Sequence, residues 1–236
     1  MQKNVDELKL EKKAAAERAF DFIESGMILG LGTGSTVKYF IQMLPEKLKR
    51  GLTVKLVSTS TETSGLVNSL GMDIIDPDDA ENIDVTIDGA DEVDPQLNGI
   101  KGGGGALLYE KIVAASSGKN IWIVDSTKYV KQLGNFPLPI EVVPFGVNYT
   151  FNQLVRIGYN PKFRMNGDKY FVSDGKHYII DLHLNKIDSP ELLNKKLNLI
   201  PGVIETGLFI NVCDVLIIGK KNDCEILEIN RKKTDY

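Results

Sequence analysis

Short apolar runs alternate with amphipathic stretches along the first 130 residues or so. The apolar runs predict buried strands at 27–32 (MILGLG), 53–58 (TVKLVS), 72–75 (MDII), 83–88 (IDVTID) and 121–125 (IWIVD). Helical spacing of apolar residues, with stop signals, predicts helices at 5–24, 37–44, 61–70 and 105–117, the second of them closed by Pro45. Strands that alternate with helices in this way are typical of a mostly parallel sheet covered by helices on both faces.

The pattern changes near residue 134, at the proline-rich segment GNFPLPIEVVPFG. After it the sequence predicts a helix at 149–157, strands at 161–165, 170–174 and 177–184 with an NGD turn, a helix at 190–198 and a strand at 202–206. Hairpin turns and alternation of this kind predict a small antiparallel α+β unit. The runs CDVLIIG and EILEIN are expected to rejoin the first sheet. We therefore predict an α/β catalytic domain (1–133 plus 207–236) and a small, oligomer-forming domain (134–206).

Charge and composition argue against several classes of protein. The 236 residues are 42% hydrophobic, and the net charge of −4 leaves no basic excess for nucleic acid. No run approaches the roughly 18 apolar residues of a membrane span, and the first residues lack a signal-peptide pattern. Cys213 and Cys224 lack the spacing of a metal or redox motif. We expect a cytoplasmic protein that binds neither nucleic acid nor membranes.

The loop GLGTGST (30–36) follows the first predicted strand. A dinucleotide fingerprint needs a third glycine where Ser35 stands, and no acidic residue follows the second strand to bind a ribose, so NAD is not expected. The loop offers amides and the hydroxyls of Thr33, Ser35 and Thr36 at a helix N-terminus, which suits a phosphate. The alternative is a tight turn with Ser35 or Thr36 as the N-cap.

An acidic loop, DGADEVD (88–94), follows the predicted strand at 83–88. It places Asp88, Asp91, Glu92 and Asp94 within seven residues. The loop is a surface turn, a site for Mg²⁺ or Ca²⁺, or a set of carboxylates that bind sugar hydroxyls. The spacing of a known calcium loop is missing and no histidine joins the group.

The segment KGGGG (101–105) precedes a predicted helix that carries Glu110. Consecutive glycines are costly to order, but they let the backbone turn tightly and approach a ligand. A carboxylate base at Glu110 and a cation at Lys101 suit an enediolate intermediate, since one removes a carbon-bound proton and the other stabilises the oxyanion. The alternative is a helix-surface glutamate paired with a lysine. His177 and His183 lie far along the chain and are poorer candidates for the base.

Together, GLGTGST, DGADEVD, KGGGGALLYEKI, FPLPIEV and IPGVIETGLF resemble the type A family of ribose-5-phosphate isomerases, in that family's order and over nearly the whole chain. The resemblance implies interconversion of ribose 5-phosphate and ribulose 5-phosphate in the pentose phosphate pathway, without metal or redox cofactor. It also implies a Rossmann-like sheet domain with an inserted ferredoxin-like domain, in a homodimer or homotetramer. The alternatives are a sugar-phosphate-sensing regulatory module and a CoA transferase-like enzyme of related fold.

The resemblance also implies roles for individual residues. Expected substrate contacts are Thr33, Gly34, Ser35, Thr36, Asp88, Gly89, Ala90, Asp91, Lys101, Gly102, Gly103, Gly104 and Lys128. Glu110 is the expected base, and Lys101 with loop amides is expected to stabilise the enediolate. Asp88 is expected to assist ring opening and Asp91 to orient hydroxyls. Lys12 is a further phosphate candidate, and Tyr109 stands where the family often has arginine.

Overall fold

The computed structural model describes residues 4–221 and 223–229. The helices are α1 Val5–Ala19, α2 Ser35–Lys49, α3 Thr61–Ser69, α4 Leu107–Ala115, α5 Val147–Ile157 and α6 Pro190–Asn198, with 3-10 turns at Phe20–Phe22 and Pro77–Asp79. The strands are β1 Ile28–Leu31, β2 Lys55–Ser58, β3 Ile83–Asp88, β4 Glu92–Val93, β5 Gly99–Ile100, β6 Ser117–Asp125, β7 Leu138–Val142, β8 Pro161–Phe163, β9 Met165–Asn166, β10 Lys169–Tyr170, β11 Tyr178–Leu182, β12 Val203–Thr206, β13 Leu208–Phe209, β14 Val215–Gly219 and β15 Cys224–Glu228. Among the helices of this part of the chain, none is long and apolar enough to cross a membrane.

Packing divides the chain into two compact units. The first consists of Met1–Gly89, Val113–Tyr129 and Asn211–Tyr236, and the second of Ala90–Ile112 and Val130–Ile210. The domain division predicted from the sequence differs in keeping 90–112, 130–133 and 207–210 with the sheet domain. That division stays a prediction.

A six-stranded, mostly parallel sheet forms the first unit, in the order β15-β14-β6-β3-β1-β2. All neighbours pair in parallel except β15, which runs antiparallel to β14 at the edge. This confirms the predicted α/β class and the return of the last strands to the first sheet. Alanines of α1 and large apolar residues of α2 pack against β1, β3, β6 and β14. The carboxyl ends of β1, β3 and β6 therefore share one edge of the sheet, where ligands of open α/β sheets usually bind.

The prediction that Pro45 ends the second helix is wrong, because α2 continues through it to Lys49. A proline inside a helix removes one hydrogen bond and crowds the preceding turn, at a cost of about 3 kcal/mol. Phe40 and Leu44 are fully buried, and Leu48 packs against the same core beyond the proline. Each such side chain contributes about 1.5–3 kcal/mol on burial, which offsets the cost.

The prediction of a strand at 72–75 is also wrong. Ile75 donates one backbone hydrogen bond to Leu56 of β2, and Met72 is buried in the core. Pro77 then begins a 3-10 turn that is capped by the side chain of Asp76, so the chain turns away before a ladder forms. The helix predicted at 105–117 is shorter than expected, because Ser117 already belongs to β6.

Three small antiparallel sheets organise the second unit. Their strand orders are β12-β7-β11-β8, β13-β5-β4 and β10-β9. The expected NGD turn joins β9 to β10, with Asn166 opposite Lys169. Apolar residues of β7, β11, α5 and α6 form the core of this unit. The β13-β5-β4 sheet matters for function because Lys101 directly follows β5.

Candidate active site

The turn from β1 into α2 leaves a helix N-terminus without a side-chain cap. Gly34 is the N-cap, with φ of 123°, and no acidic residue lies in the first turn. The alternative in which Ser35 or Thr36 caps the helix is therefore wrong. A 15-residue helix directs partial positive charge and backbone amides from this end. The geometry suits an anion such as phosphate.

The hydroxyls of this turn have different partners. Thr33 Oγ1 donates to Ser60 Oγ at 2.7 Å and lies 2.9 Å from Thr59 Oγ1, while the Thr33 amide donates to Asp88 Oδ1 at 3.2 Å. Both donors of Thr33 are thus used inside the protein. Ser35 Oγ instead accepts from Lys12 Nζ at 2.9 Å. The supporting hydroxyls after β2 were missed from the sequence, where this segment was considered only for its lack of an acidic residue that could bind a ribose.

Asp88 ends β3 and is buried beside this turn. Its Oδ1 accepts from the amides of Thr33 at 3.2 Å and Gly89 at 2.7 Å. Gly32 packs so closely that a methyl group there would overlap the Asp88 carboxylate and approach its Cα. Glycine at position 32 therefore lets two neighbouring strands place Asp88 against the loop.

We expect Gly32→Ala to lower the free energy of unfolding by about 1–3 kcal/mol, because the added methyl forces Asp88 and its strand apart. Activity should fall as well, since the carboxylate is displaced. Gly65→Ala is a matched control: it lies in α3 and a Cβ there meets nothing within 4 Å, so it should retain activity and keep or slightly raise stability. Denaturant unfolding measures the stability of each variant, and initial rates measure its activity. A Gly32→Ala protein with wild-type stability and rate would contradict the packing argument.

Two lysines reach the same edge of the first unit. Lys12 of α1 contacts Ser35, and its Nζ lies 3.8 Å from Asp125 Oδ2. Lys128 is half-buried in the turn that follows β6 and donates its amide to Asp125 O at 3.1 Å. The buried Glu11 holds this turn by accepting from both the amide and the hydroxyl of Ser126. Lys12 was a candidate from the sequence, whereas Glu11 was missed.

Lys101 and Glu110 form a buried pair in the second unit. They are 2% and 3% exposed, and Lys101 Nζ lies 3.4 Å from Glu110 Oε2. Glu110 sits in the first turn of α4, so its charge is favourable near the helix N-terminus. The alternative of a helix-surface glutamate is wrong, because the side chain is buried. Desolvating two ions costs several kcal/mol each, which makes a structural role alone a poor explanation for the pair.

Lys111, the residue after Glu110, anchors α4. Its Nζ donates to Glu205 Oε1 at 2.8 Å and to the carbonyls of Thr206 and Leu208 at 2.7 and 2.9 Å. Burial lowers the pKa of Lys111 from its ordinary value, and the carboxylate of Glu205 partly offsets this. An ammonium with three donors and three acceptors has a fixed position. It thereby fixes the rotation of the helix turn that presents Glu110.

The remaining acidic residues of 88–94 serve backbone amides. Asp91 Oδ2 accepts from Gly103 at 2.8 Å. Glu92 accepts from Gly134 and Phe136, and Asp94 accepts from the amides that follow it. Among the described residues no group of three or more His, Cys, Asp or Glu is arranged to hold a metal ion. Gly89 and Ala90 are half-buried, and Gly103 and Gly104 are exposed whereas Gly102 is buried.

Comparison with known proteins decides the family. The family model of ribose 5-phosphate isomerase A (phosphoriboisomerase A) matches residues 55–223. Ribose-5-phosphate isomerase A of Limosilactobacillus reuteri is 48% identical over 218 residues, which cover 92% of this chain and 96% of the relative. This chain belongs to the ribose 5-phosphate isomerase A family.

Solved structures of ribose 5-phosphate isomerases have the same fold. The enzyme of Methanocaldococcus jannaschii aligns with a TM-score of 0.88 at 35% identity and covers 94% of this chain and 99% of its own. A D-ribose-5-phosphate isomerase in complex with phospho-erythronic acid aligns with a TM-score of 0.90 at 41% identity, over 96% of this chain and 100% of its own. These comparisons favour neither the regulatory module nor the acyl-transferring alternative.

Proposed function

We propose that this isomerase of ribose 5-phosphate and ribulose 5-phosphate divides its task between two groups of residues. Residues of the turn into α2, with Lys12 and Lys128, bind the phosphate, and Glu110 with Lys101 transfers the proton. The observation that carries the proposal is the buried Lys101–Glu110 pair, with 3.4 Å between Nζ and Oε2. A base and a cation in contact, out of water, suit an enediolate reaction.

The phosphate binds at the N-terminus of α2, to the amides of Gly34, Ser35 and Thr36. Lys12 and Lys128 add positive charge at the same sheet edge, which the contact of Lys12 with Ser35 supports. Charge-assisted bonds to phosphate are roughly twice as strong as neutral ones. This anchoring is remote from the reacting carbons and helps to position them.

Proton transfer then proceeds by acid–base chemistry. Asp88 assists ring opening to the free aldehyde. Glu110 removes the proton from C2, and the electron pair of that C–H bond forms the C1–C2 double bond as the C1 carbonyl becomes an oxyanion. Lys101 stabilises that oxyanion. Glu110 returns the proton to C1, the proton of O2 passes to the oxyanion at O1, which becomes a hydroxyl, and C2 becomes the carbonyl, so no external oxidant or reductant is consumed.

Asp91 orients the sugar hydroxyls. Its backbone amide donates to Ile100 O at 2.8 Å and its Oδ2 accepts from Gly103 at 2.8 Å, so its position is tied to the glycine loop. Carboxylate oxygens have about four acceptor sites in all, which leaves capacity for hydroxyl donors. Gly89, Ala90, Gly102 and Gly104 contribute backbone to the same contacts.

The testing experiment is ketose formation from ribose 5-phosphate with and without EDTA. We expect full activity in EDTA, because the carboxylates of 88–94 accept from backbone amides and Lys101 carries the oxyanion charge. Protein passed through a chelating resin, with each divalent ion added back, is the control. Activity that disappears in EDTA and returns with Mg²⁺ or Mn²⁺ would contradict this mechanism. Absence of ketose under all conditions would contradict the function itself.

We further propose a homodimer or homotetramer in the cytoplasm. The second unit exposes large apolar side chains, with Phe145 93%, Tyr149 84% and Leu199 81% exposed, and burial of such residues between subunits is favourable. Sedimentation of the purified protein measures the assembly. Cys213 and Cys224 are free thiols, as is usual in a reducing compartment.

A further inference from the structure

Arg164 follows β8 and makes two sets of contacts within the second unit. Its Nε and Nη2 donate to Asp181 Oδ2 at 3.0 Å and Oδ1 at 2.5 Å. Its Nη1 donates to the carbonyl oxygens of Gly102 at 2.8 Å and Gly103 at 3.1 Å. The planar guanidinium thus connects a carboxylate on β11 with the backbone of the glycine loop.

The glycine loop, residues 101–105, needs contacts from other residues to become ordered. Gly102 and Gly105 have φ of 96° and 83°, and fixing the backbone of each residue costs about 1–2 kcal/mol. Because glycines have no side chains to pack, other residues must hold them. The ring of Phe171 occupies the space where a Cβ of Gly105 would lie. Arg164 supplies the polar contacts and lies 5.9 Å from the centroid of that ring.

One peptide group of the loop is held from both sides. The carbonyl of Gly102 and the amide of Gly103 belong to the same planar peptide. Arg164 donates to that carbonyl at 2.8 Å, and the amide donates to Asp91 Oδ2 at 2.8 Å. The peptide therefore transmits the position of Arg164 to Asp91, and its first residue directly follows Lys101.

We propose that Arg164 is a positioning residue, which holds the peptide between Gly102 and Gly103 so that Asp91 and Lys101 keep the orientation used in isomerisation. This inference rests on the proposed function. Arg164 does not contact the reacting atoms in this scheme. Its partner Asp181 orients the guanidinium, and both side chains are largely buried.

We expect Arg164→Ala to lower kcat about 10- to 100-fold, as for the loss of charge-assisted bonds. The carbonyls of the loop would turn toward water, and the peptide would no longer hold Asp91. Arg156→Ala is the matched control, because Arg156 lies exposed on α5 and should leave kcat unchanged. The wild type, both variants and their thermal unfolding are compared with ribose 5-phosphate as substrate.

Chemical rescue separates positioning from a purely structural role. Guanidinium ion, added to Arg164→Ala far below unfolding concentrations, should restore part of kcat with saturation, because it can occupy the space between Asp181 and the loop. Sodium chloride at equal ionic strength should not. If Arg164→Ala does not fold, Arg164→Lys decides: the lysine ammonium is a single point charge without the planar fork that reaches Asp181 through Nε and Nη2 and the loop carbonyls through Nη1, so its kcat should also be lower.

The inference is overturned if the folded variant has wild-type kcat, or if its loss is not reversed by guanidinium. Failure of the proposed function would look different. It would show as a wild type that forms no ketose, or as a fully active Glu110→Gln variant, whatever Arg164→Ala does.

Discussion

Replacing Glu110 with glutamine is expected to lower kcat by at least about 100-fold and to leave KM close to wild type. Glutamine keeps the shape and the hydrogen-bonding oxygen but cannot accept the C2 proton. Since the phosphate contacts lie elsewhere, substrate binding should persist. The measurement is steady-state ketose formation from ribose 5-phosphate, with both constants determined.

Stability must be measured beside this rate. The substitution removes the carboxylate 3.4 Å from the buried Lys101, and breaking a buried pair costs about 3–5 kcal/mol. kcat is therefore expressed per folded molecule. Glu191→Gln is a matched control, since Glu191 also lies in the first turn of a helix but is exposed. Near-normal kcat in folded Glu110→Gln would remove Glu110 as the base.

Free ribose is expected to be turned over with kcat/KM at least about 100-fold below that of ribose 5-phosphate. Two or three charge-assisted bonds at about 1.5–3 kcal/mol each are lost with the phosphate. Because remote binding energy also positions the reacting carbons, part of the loss should appear in kcat. Initial rates over a range of both sugars test this. Equal turnover of the two would contradict the phosphate role of the α2 turn.

The Lys128→Ala variant tests whether Lys128 contributes to the preference for ribose 5-phosphate over free ribose. It should lower kcat/KM for ribose 5-phosphate about 10- to 100-fold at fixed ionic strength and leave the rate with ribose unchanged. Lys131→Ala, an exposed lysine three residues on, is the control for a general change in surface charge. Unaltered constants in Lys128→Ala would remove that residue from the phosphate site.

Several helices and strands could be predicted from the local sequence. β3 at 83–88 and α6 at 190–198 have the predicted bounds, because apolar periodicity and stop signals both act over a few residues. The motifs around Thr33, Asp88 and Lys101 were also visible, since glycines and carboxylates clustered after strands are unusual. The position of Glu110 after the glycines suggested a base, and the family resemblance then suggested a role for Lys128.

Two predictions from local sequence, the helix end at Pro45 and the strand at 72–75, are wrong because tertiary packing outweighs the local signal. Pro45 is a strong stop signal, yet burial of Phe40 and Leu44 on the same helix outweighs it. The apolar run at 72–75 covers the sheet edge without joining it. In both cases the deciding contacts come from residues distant in sequence, which a short window does not contain.

The α/β class, the order of most strands and helices, and the loops that carry chemistry could be predicted from the sequence, because these depend on periodicity and turn residues. Which side chains meet became clear from the folded structure. It joined Lys12 to Ser35, used both donors of Thr33 inside the protein, and placed Arg164 on the glycine loop, 61 and 62 residues along the chain from the carbonyls it binds. Such contacts depend on the distances and directions set by the folded backbone, and no spacing along the chain encodes them.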